Sequence, residues 1–281
     1  MNSGLNGVKT VVWALACAAA LIAVLIGLVF AISNKYNGDR TDGALHLSGE
    51  VIQKPSGFSD NQPAVPDGYG ASDGGTALAN TQDMGIEYAF GFTYICDGSI
   101  VGINSYSAVY GGNGTAQLWT DAGTGFPAAS ASDTIIISPS DGSRLSPASA
   151  AMVYQPKRIA IYLGGDNLAS ATEESFIAGY TALIQSLLRA SSETKIVCCS
   201  IGSIAVSYTG MDGLTAQGIS QANQWIKTVA ENTGCYFADL ASVLNESNGY
   251  LKNEYAGADG RTLNNNGIAA IIDYFRYHAS V

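Results

Sequence analysis

Histidine is almost missing from this sequence, with only His46 and His278 among 281 residues. Imidazole is the usual general base near neutral pH, so a chain this poor in it has few ways to build a base-assisted site. Charge is scarce as well, at 13% of residues, and the 13 basic side chains are outnumbered by 23 acidic ones for a net charge of −10. That sign is wrong for a phosphate-backbone partner, which excludes nucleic acid. Paired cysteine motifs are also lacking. Cys17, Cys96, Cys198, Cys199 and Cys235 have neither the CxxC spacing of a zinc site nor the density of a disulfide scaffold. They read as buried thiols, with a bridge from Cys198 or Cys199 to Cys235 left open in an oxidising compartment. No cofactor is expected.

What the chain has in quantity is apolar residues, 47% of the total, enough to bury one α/β core with little left over for a second. Part of that content is concentrated near the start. After a short tail over residues 1–10, Val11 to Ile32 is an uncharged apolar run. As a helix it would be about 33 Å long, enough to cross a bilayer core. A cleaved signal peptide is the competing reading, but its apolar region usually spans only about 7–15 residues. Lys9 on one side and Lys35 and Arg40 on the other leave the orientation undecided by charge. Residues 33–80 are rich in Gly, Ser, Asp, Asn and Pro without an apolar period, the composition of a flexible tether.

Residues 81–281 read as one domain of alternating strands and helices. Buried-strand runs occur at Phe92–Cys96, Arg158–Leu163, Lys195–Ile201 and Cys235–Leu240. Between the second and third, Phe176, Tyr180, Leu183 and Leu187 recur at helical spacing; between the third and fourth, Ile219, Ala222, Ile226 and Val229 do, with Gly234 placed to end that helix. Ser146-Pro147 has the form of a cap and first position of a shorter helix, and Ile268, Ile271, Ile272 and Phe275 mark a final one. The pattern predicts an α/β fold, a three-layer, doubly wound parallel sheet of flavodoxin-like type, with any site at the carboxyl ends of the strands.

Three stretches fall where such a site would lie: Ile95-Cys96-Asp97-Gly98-Ser99-Ile100, Leu163-Gly164-Gly165-Asp166-Asn167-Leu168 and Asp259-Gly260-Arg261-Thr262-Leu263-Asn264. In order and spacing they resemble the IGDSxT, LGTNDL and DGIHLN motifs of the SGNH/GDSL hydrolases, specifically the bacterial membrane-anchored surface type. The likeness covers most of residues 85–279. It implies the SGNH-hydrolase fold and an esterase or acyl hydrolase with a Ser nucleophile, a His base oriented by an Asp, and an oxyanion hole using a Gly and an Asn. Carried over position by position, the nucleophile is Gly98, the oxyanion Asn is Asp166 followed by Asn167, and the base is Thr262. Only the orienting acid, Asp259, is kept. The oxyanion Gly finds no clear position in residues 103–157.

Two functions follow. The preferred one is a catalytically inactive binding or scaffold module, held at the cell membrane by a single span with its C-terminal domain extracytoplasmic, as the resemblance implies. Its ligand-binding candidates are Asp97, Ser99, Asp166, Asn167 and Asp259. The implied partners are the membrane, a cell-envelope glycan, or a membrane acyltransferase or assembly partner. The alternative is a serine esterase acting on acylated carbohydrate or envelope esters, with Ser99 as nucleophile in a register shifted by one. It needs a base, and His278 would lie at the far end of the last helix, about 20 Å from Thr262. Cys96 has no neighbouring cation in the sequence to stabilise a thiolate. Asp97, Asp166 and Asp259 together form a hard-oxygen set that Ca²⁺ or Mg²⁺ accepts, although each Asp has an ordinary role in a turn and no metal is expected.

The apolar run makes the first prediction. The mature protein should remain in the membrane fraction with its N-terminal segment intact, checked by mass spectrometry of the purified chain. A mass beginning after residue 30 would rule out an uncleaved span.

Overall fold

The computed structural model describes residues 76–109, 117–123 and 125–279. The apolar run Val11–Ile32, Cys17, His46 and most of the tether lie outside them. Among the described residues no helix is long and apolar enough to cross a membrane.

Seven strands form one mixed sheet in the order β4-β3-β2-β1-β5-β6-β7. They are β1 (Thr93–Cys96), β2 (Gln117–Asp121), β3 (Ile136–Ile137), β4 (Arg144–Leu145), β5 (Arg158–Tyr162), β6 (Lys195–Cys199) and β7 (Tyr236–Ala238). The four strands read from sequence are β1, β5, β6 and β7, adjacent and parallel, and all but their outermost residues are buried. β2 is also parallel to β1.

The all-parallel expectation needs correction at one edge, where β3 runs antiparallel to β2 and β4 to β3. The reason is the length of the connection. β3 and β4 are joined through Ser138–Ser143, where Ser138 N donates to Ser143 O and Gly142 takes φ 72°, and so short a turn can only reverse the chain. β2 was not legible as a strand because QLWTD carries polar residues at both ends and no alternation.

The helices are α1 (Ile86–Phe90), α2 (Gly102–Val109), α3 (Pro147–Tyr154), α4 (Glu173–Ala190), α5 (Ala216–Thr233), α6 (Ala241–Leu244) and α7 (Asn265–Tyr277). They form two mutually packed sets, with α4 against α3 and α5, and α7 against α1, α2 and α6. The caps follow the sequence. Ser146 accepts from Ser149 N with Pro147 behind it, Thr172 and Ser175 make a reciprocal capping box, and Gly234 ends α5 at φ 68°. In the core, Phe275 of α7 meets Phe92 and Tyr94 with ring centroids at 4.8 and 6.2 Å. On α4, Tyr180 donates its hydroxyl to Ile161 O at 3.1 Å.

Residues 76–80, placed above at the end of the tether, join the fold. Phe237 N donates to Thr76 O and Leu78 N to Phe237 O, both at 2.8 Å, and Leu78 is buried. An open strand edge pairs with extended backbone whatever its side chains, so composition does not announce this contact.

Gly179 in α4 sits directly on the 3-10 segment Ala128–Asp133, where an added Cβ would stand 2.3 Å from Ala129 O. Alanine would gain about 1 kcal/mol in helix propensity. Displacing backbone to admit it costs about 3 kcal/mol. Gly179→Ala should therefore lower stability by about 2 kcal/mol net, read from chemical denaturation; a stabilised variant would contradict this packing.

Candidate active site

The carboxyl ends of β1 and β5 bring two of the three stretches together, and the loop before α7 supplies the third. After β1, Asp97 is extended and caps the 3-10 turn Gly98–Ile100. Its Oδ1 accepts Ser99 N at 3.0 Å and also the Ser99 hydroxyl. Its Oδ2 accepts Gly165 N at 3.2 Å and faces Arg261 Nη2 at 3.5 Å. Asp97 is 1% exposed. Burial raises its pKa, with the Arg261 charge partly offsetting the rise.

Arg261 is the group that organises the site. Its Nη2 donates to Asp166 Oδ1 at 2.7 Å, and its Nη1 lies 3.8 Å from Asp212 Oδ2. Burial works against its charge, but Asp97 and Asp166 outweigh burial and raise its pKa above the ordinary arginine value. Such a guanidinium is always a donor and never a base. Room for it is made by Gly165, which stands where the LGTNDL motif carries Thr. A Cβ there would be 2.7 Å from Arg261 Nη2 and 3.1 Å from Asp97 Oδ2.

Asp166 turns its other oxygen, Oδ2, to Phe126 N at 2.8 Å, which brings Gly125 (φ 85°) to the rim. Asn167 is exposed, with φ 55°, at the start of a 3-10 turn. Gly98 is exposed, and a Cβ there would meet nothing within 4 Å.

Asp259 and Thr262 form a unit of their own. Asp259 Oδ1 accepts Arg261 N at 3.0 Å and Thr262 N at 2.8 Å, and Oδ2 accepts the Thr262 hydroxyl at 2.6 Å. Burial opposes the charge of Asp259, but these bonds prevail and lower its pKa. Leu263 N donates to Ser99 O at 2.8 Å and so ties this loop to the β1 turn.

Asp97, Asp166 and Asp259 thus do not surround a common cation position. The first two close on Arg261, and the third serves its own turn. Among the described residues no group of three His, Cys, Asp or Glu side chains could hold a metal. His278 caps the far end of α7, with Nδ1 2.7 Å from Tyr274 O and its ring stacked on Tyr274 at 3.9 Å. Cys96 is fully buried, and burial followed by the nearby Asp97 charge drives its thiol pKa well up, away from thiolate. Cys198, Cys199 and Cys235 are free and buried.

Sequence reasoning missed Arg261, although it is the one cation in the three stretches. The available signal was charge balance, since two acids at adjacent strand ends call for a positive partner.

Charge balance also sets a pH dependence. With its folded pKa raised, Asp97 contributes stability that is present below its unfolded pKa of about 3.9 and lost as pH rises through the folded value. Arg261 offsets that loss. Arg261→Gln should therefore cost about 2–3 kcal/mol at neutral pH, less than a fully buried pair because Arg261 is partly exposed, and distinctly less near pH 4, where the raised pKa of Asp97 leaves less of its negative charge to offset. Denaturation of both proteins at the two pH values checks this; an equal penalty at each would refute it.

No curated protein matches this chain. Among solved structures, a lipolytic protein of the G-D-S-L family from Desulfitobacterium hafniense is 16% identical, with 66% of this chain and 97% of that one covered at a TM-score of 0.45. A platelet activating factor from Streptococcus pneumonia is 20% identical, covering 46% of this chain and 66% of that one at 0.40. A carbohydrate esterase family 3 protein from Talaromyces cellulolyticus is 16% identical, covering 46% and 60% at 0.37. The chain therefore spans less than two thirds of the length of the latter two. The family model of the GDSL-like lipases and acylhydrolases matches residues 103–272, more than half of the sequence, and this chain belongs to that family.

Proposed function

We propose that this chain is a membrane-anchored, extracytoplasmic family member whose hydrolytic centre is inert and whose cleft binds a ligand without cleaving it. The observation that carries this reading is the fate of the backbone amides around the site. Ser99 N and Gly165 N donate to Asp97, and Phe126 N donates to Asp166. In an acyl hydrolase such amides would stabilise the negative charge that develops on the carbonyl oxygen. Here two of the protein's own carboxylates already take them, and further negative charge beside Asp97 and Asp166 would be repelled.

The missing base supports the same reading. Among the described residues, the cation within bonding distance of Asp97 and Asp166 is Arg261, which cannot take a proton from Ser99. The Thr262 hydroxyl is bound to Asp259 where the DGIHLN motif has imidazole. Anchoring by Val11–Ile32 and the tether that follows would keep the cleft near the membrane surface, within reach of an envelope glycan or a membrane acyltransferase assembly.

One observation favours an esterase instead. The Ser99 hydroxyl donates directly to Asp97, a carboxylate whose pKa is raised by burial, and a carboxylate so placed is a weak general base. The two readings part on a single assay. The inert reading expects the purified protein to hydrolyse p-nitrophenyl acetate no faster than its Ser99→Ala variant; turnover lost on that substitution would establish the esterase. Gly98→Ser with Thr262→His would restore nucleophile and base at the positions the motifs assign, and the open space at Gly98 admits the new side chain. Any gain should stay small while Asp97 and Asp166 hold the amides.

A further inference from the structure

The amino-terminal ends of β5 and β6 lie at the opposite end of the sheet from Asp97, Asp166 and Arg261, and they carry a surface of different chemistry. α3 buries Ala150 and Ala151, but the next two residues stay in solvent, Met152 62% and Val153 60% exposed. Gln155 holds this helix end against the end of α4. Its Nε2 donates to Met152 O at 3.0 Å and to Ala190 O at 3.2 Å, and Ser191 Oγ donates to Gln155 Oε1 at 3.0 Å. Arg189, in the last turn of α4, is exposed.

The strand starts add further cations. Lys195 N donates to Lys157 O at 3.0 Å, and both lysine side chains are exposed. Arg158, half-buried, rests its guanidinium 4.6 Å from the centre of the Tyr88 ring. Two exposed apolar side chains are thus set among Lys157, Arg158, Arg189 and Lys195. Glu87 and Glu193 are the acids nearest in sequence, yet among the described residues none of the four cations makes an ion pair. In a chain of net charge −10, unpaired cations beside exposed aliphatic groups stand out.

We infer that this end of the domain is a docking face for an anionic phospholipid surface. Lysine and arginine are drawn to anionic headgroups, while exposed aliphatic side chains gain by entering the boundary between headgroups and acyl chains. The far end of the domain is repelled by the same surface, since Asp166, Asp212 and Asp259 gather there around the single cation Arg261. The charge distribution therefore orients the domain, patch toward the lipid and cleft away from it. Three exposed cations and two aliphatic side chains bind a bilayer weakly alone, so the inference rests on the membrane anchoring proposed above. Residues 33–75 separate the apolar run from Thr76, and 43 residues of that composition reach about 35 Å. Thr76 enters on the outer side of β7, three strand spacings or about 14 Å from β5. Such a tether keeps the local lipid concentration high enough for a weak face to dock.

The test uses the full chain with Ser192→Cys, in the exposed turn between α4 and β6, labelled with the environment-sensitive dye NBD. Cys96, Cys198, Cys199 and Cys235 are buried, and Cys17→Ser removes the remaining thiol. The protein is incorporated into vesicles of phosphatidylcholine, with or without phosphatidylglycerol. A blue shift of NBD emission is expected in the anionic vesicles alone. Lys157→Glu with Lys195→Glu should abolish it, whereas Lys227→Glu, on α5 beside the carboxyl ends of β6 and β7, should leave it in place. Identical spectra in the two lipids, or a shift that survives the double reversal, would overturn the docking face. Flotation of the unlabelled chain with neutral vesicles reads the anchor separately, so its failure is told apart from failure of the patch.

Discussion

One guanidinium placed between two carboxylates holds the strand-end site together. Asp97 is buried at the end of β1 and Asp166 follows β5, so β1 and β5, neighbours in the sheet, deliver two negative charges to one rim. Burial opposes the charge of Asp97, and Arg261, reaching both carboxylates from the loop before α7, offsets it. The glycine at 165, the turn built by Asp259 and the bond from Leu263 N to Ser99 O all serve to bring that guanidinium into place.

The same constraint accounts for the chemistry the site can and cannot do. An acyl hydrolase needs a base on one side of its nucleophile and free donors on the other. A fixed arginine supplies neither, because its protons do not leave and its donors are already turned to Asp97 and Asp166. Function resides in the side chains that a fold carries and not in the fold itself, so family membership alone does not settle the activity of this site.

Much of the fold was legible because its signals are local. The apolar faces of α4, α5 and α7, the Ser146-Pro147 start and the Gly234 stop each depend on residues within a few positions of one another. The parallel strands β1, β5, β6 and β7 were legible because their buried residues make nearly continuous apolar runs. The edge was not. β2 has polar residues at both ends, β3 and β4 are two residues long and are defined by the neighbours they pair with, and residues 76–80 pair with β7 and with His278 beyond α7. Asp97, Asp166, Asp259 and Thr262 could be placed at the strand ends from motif order, but the partner each one chose could not.

The sequence alone determined the α/β alternation, the resemblance to GDSL-like hydrolases and the absence of histidine from the three motif-like stretches, since composition, periodicity and motif order suffice for these. Only the tertiary structure decided that Asp97 and Asp166 share Arg261 while Asp259 keeps to its own turn. Charge pairing and burial are set by distances between residues up to 164 positions apart in the chain, and no local pattern encodes those distances.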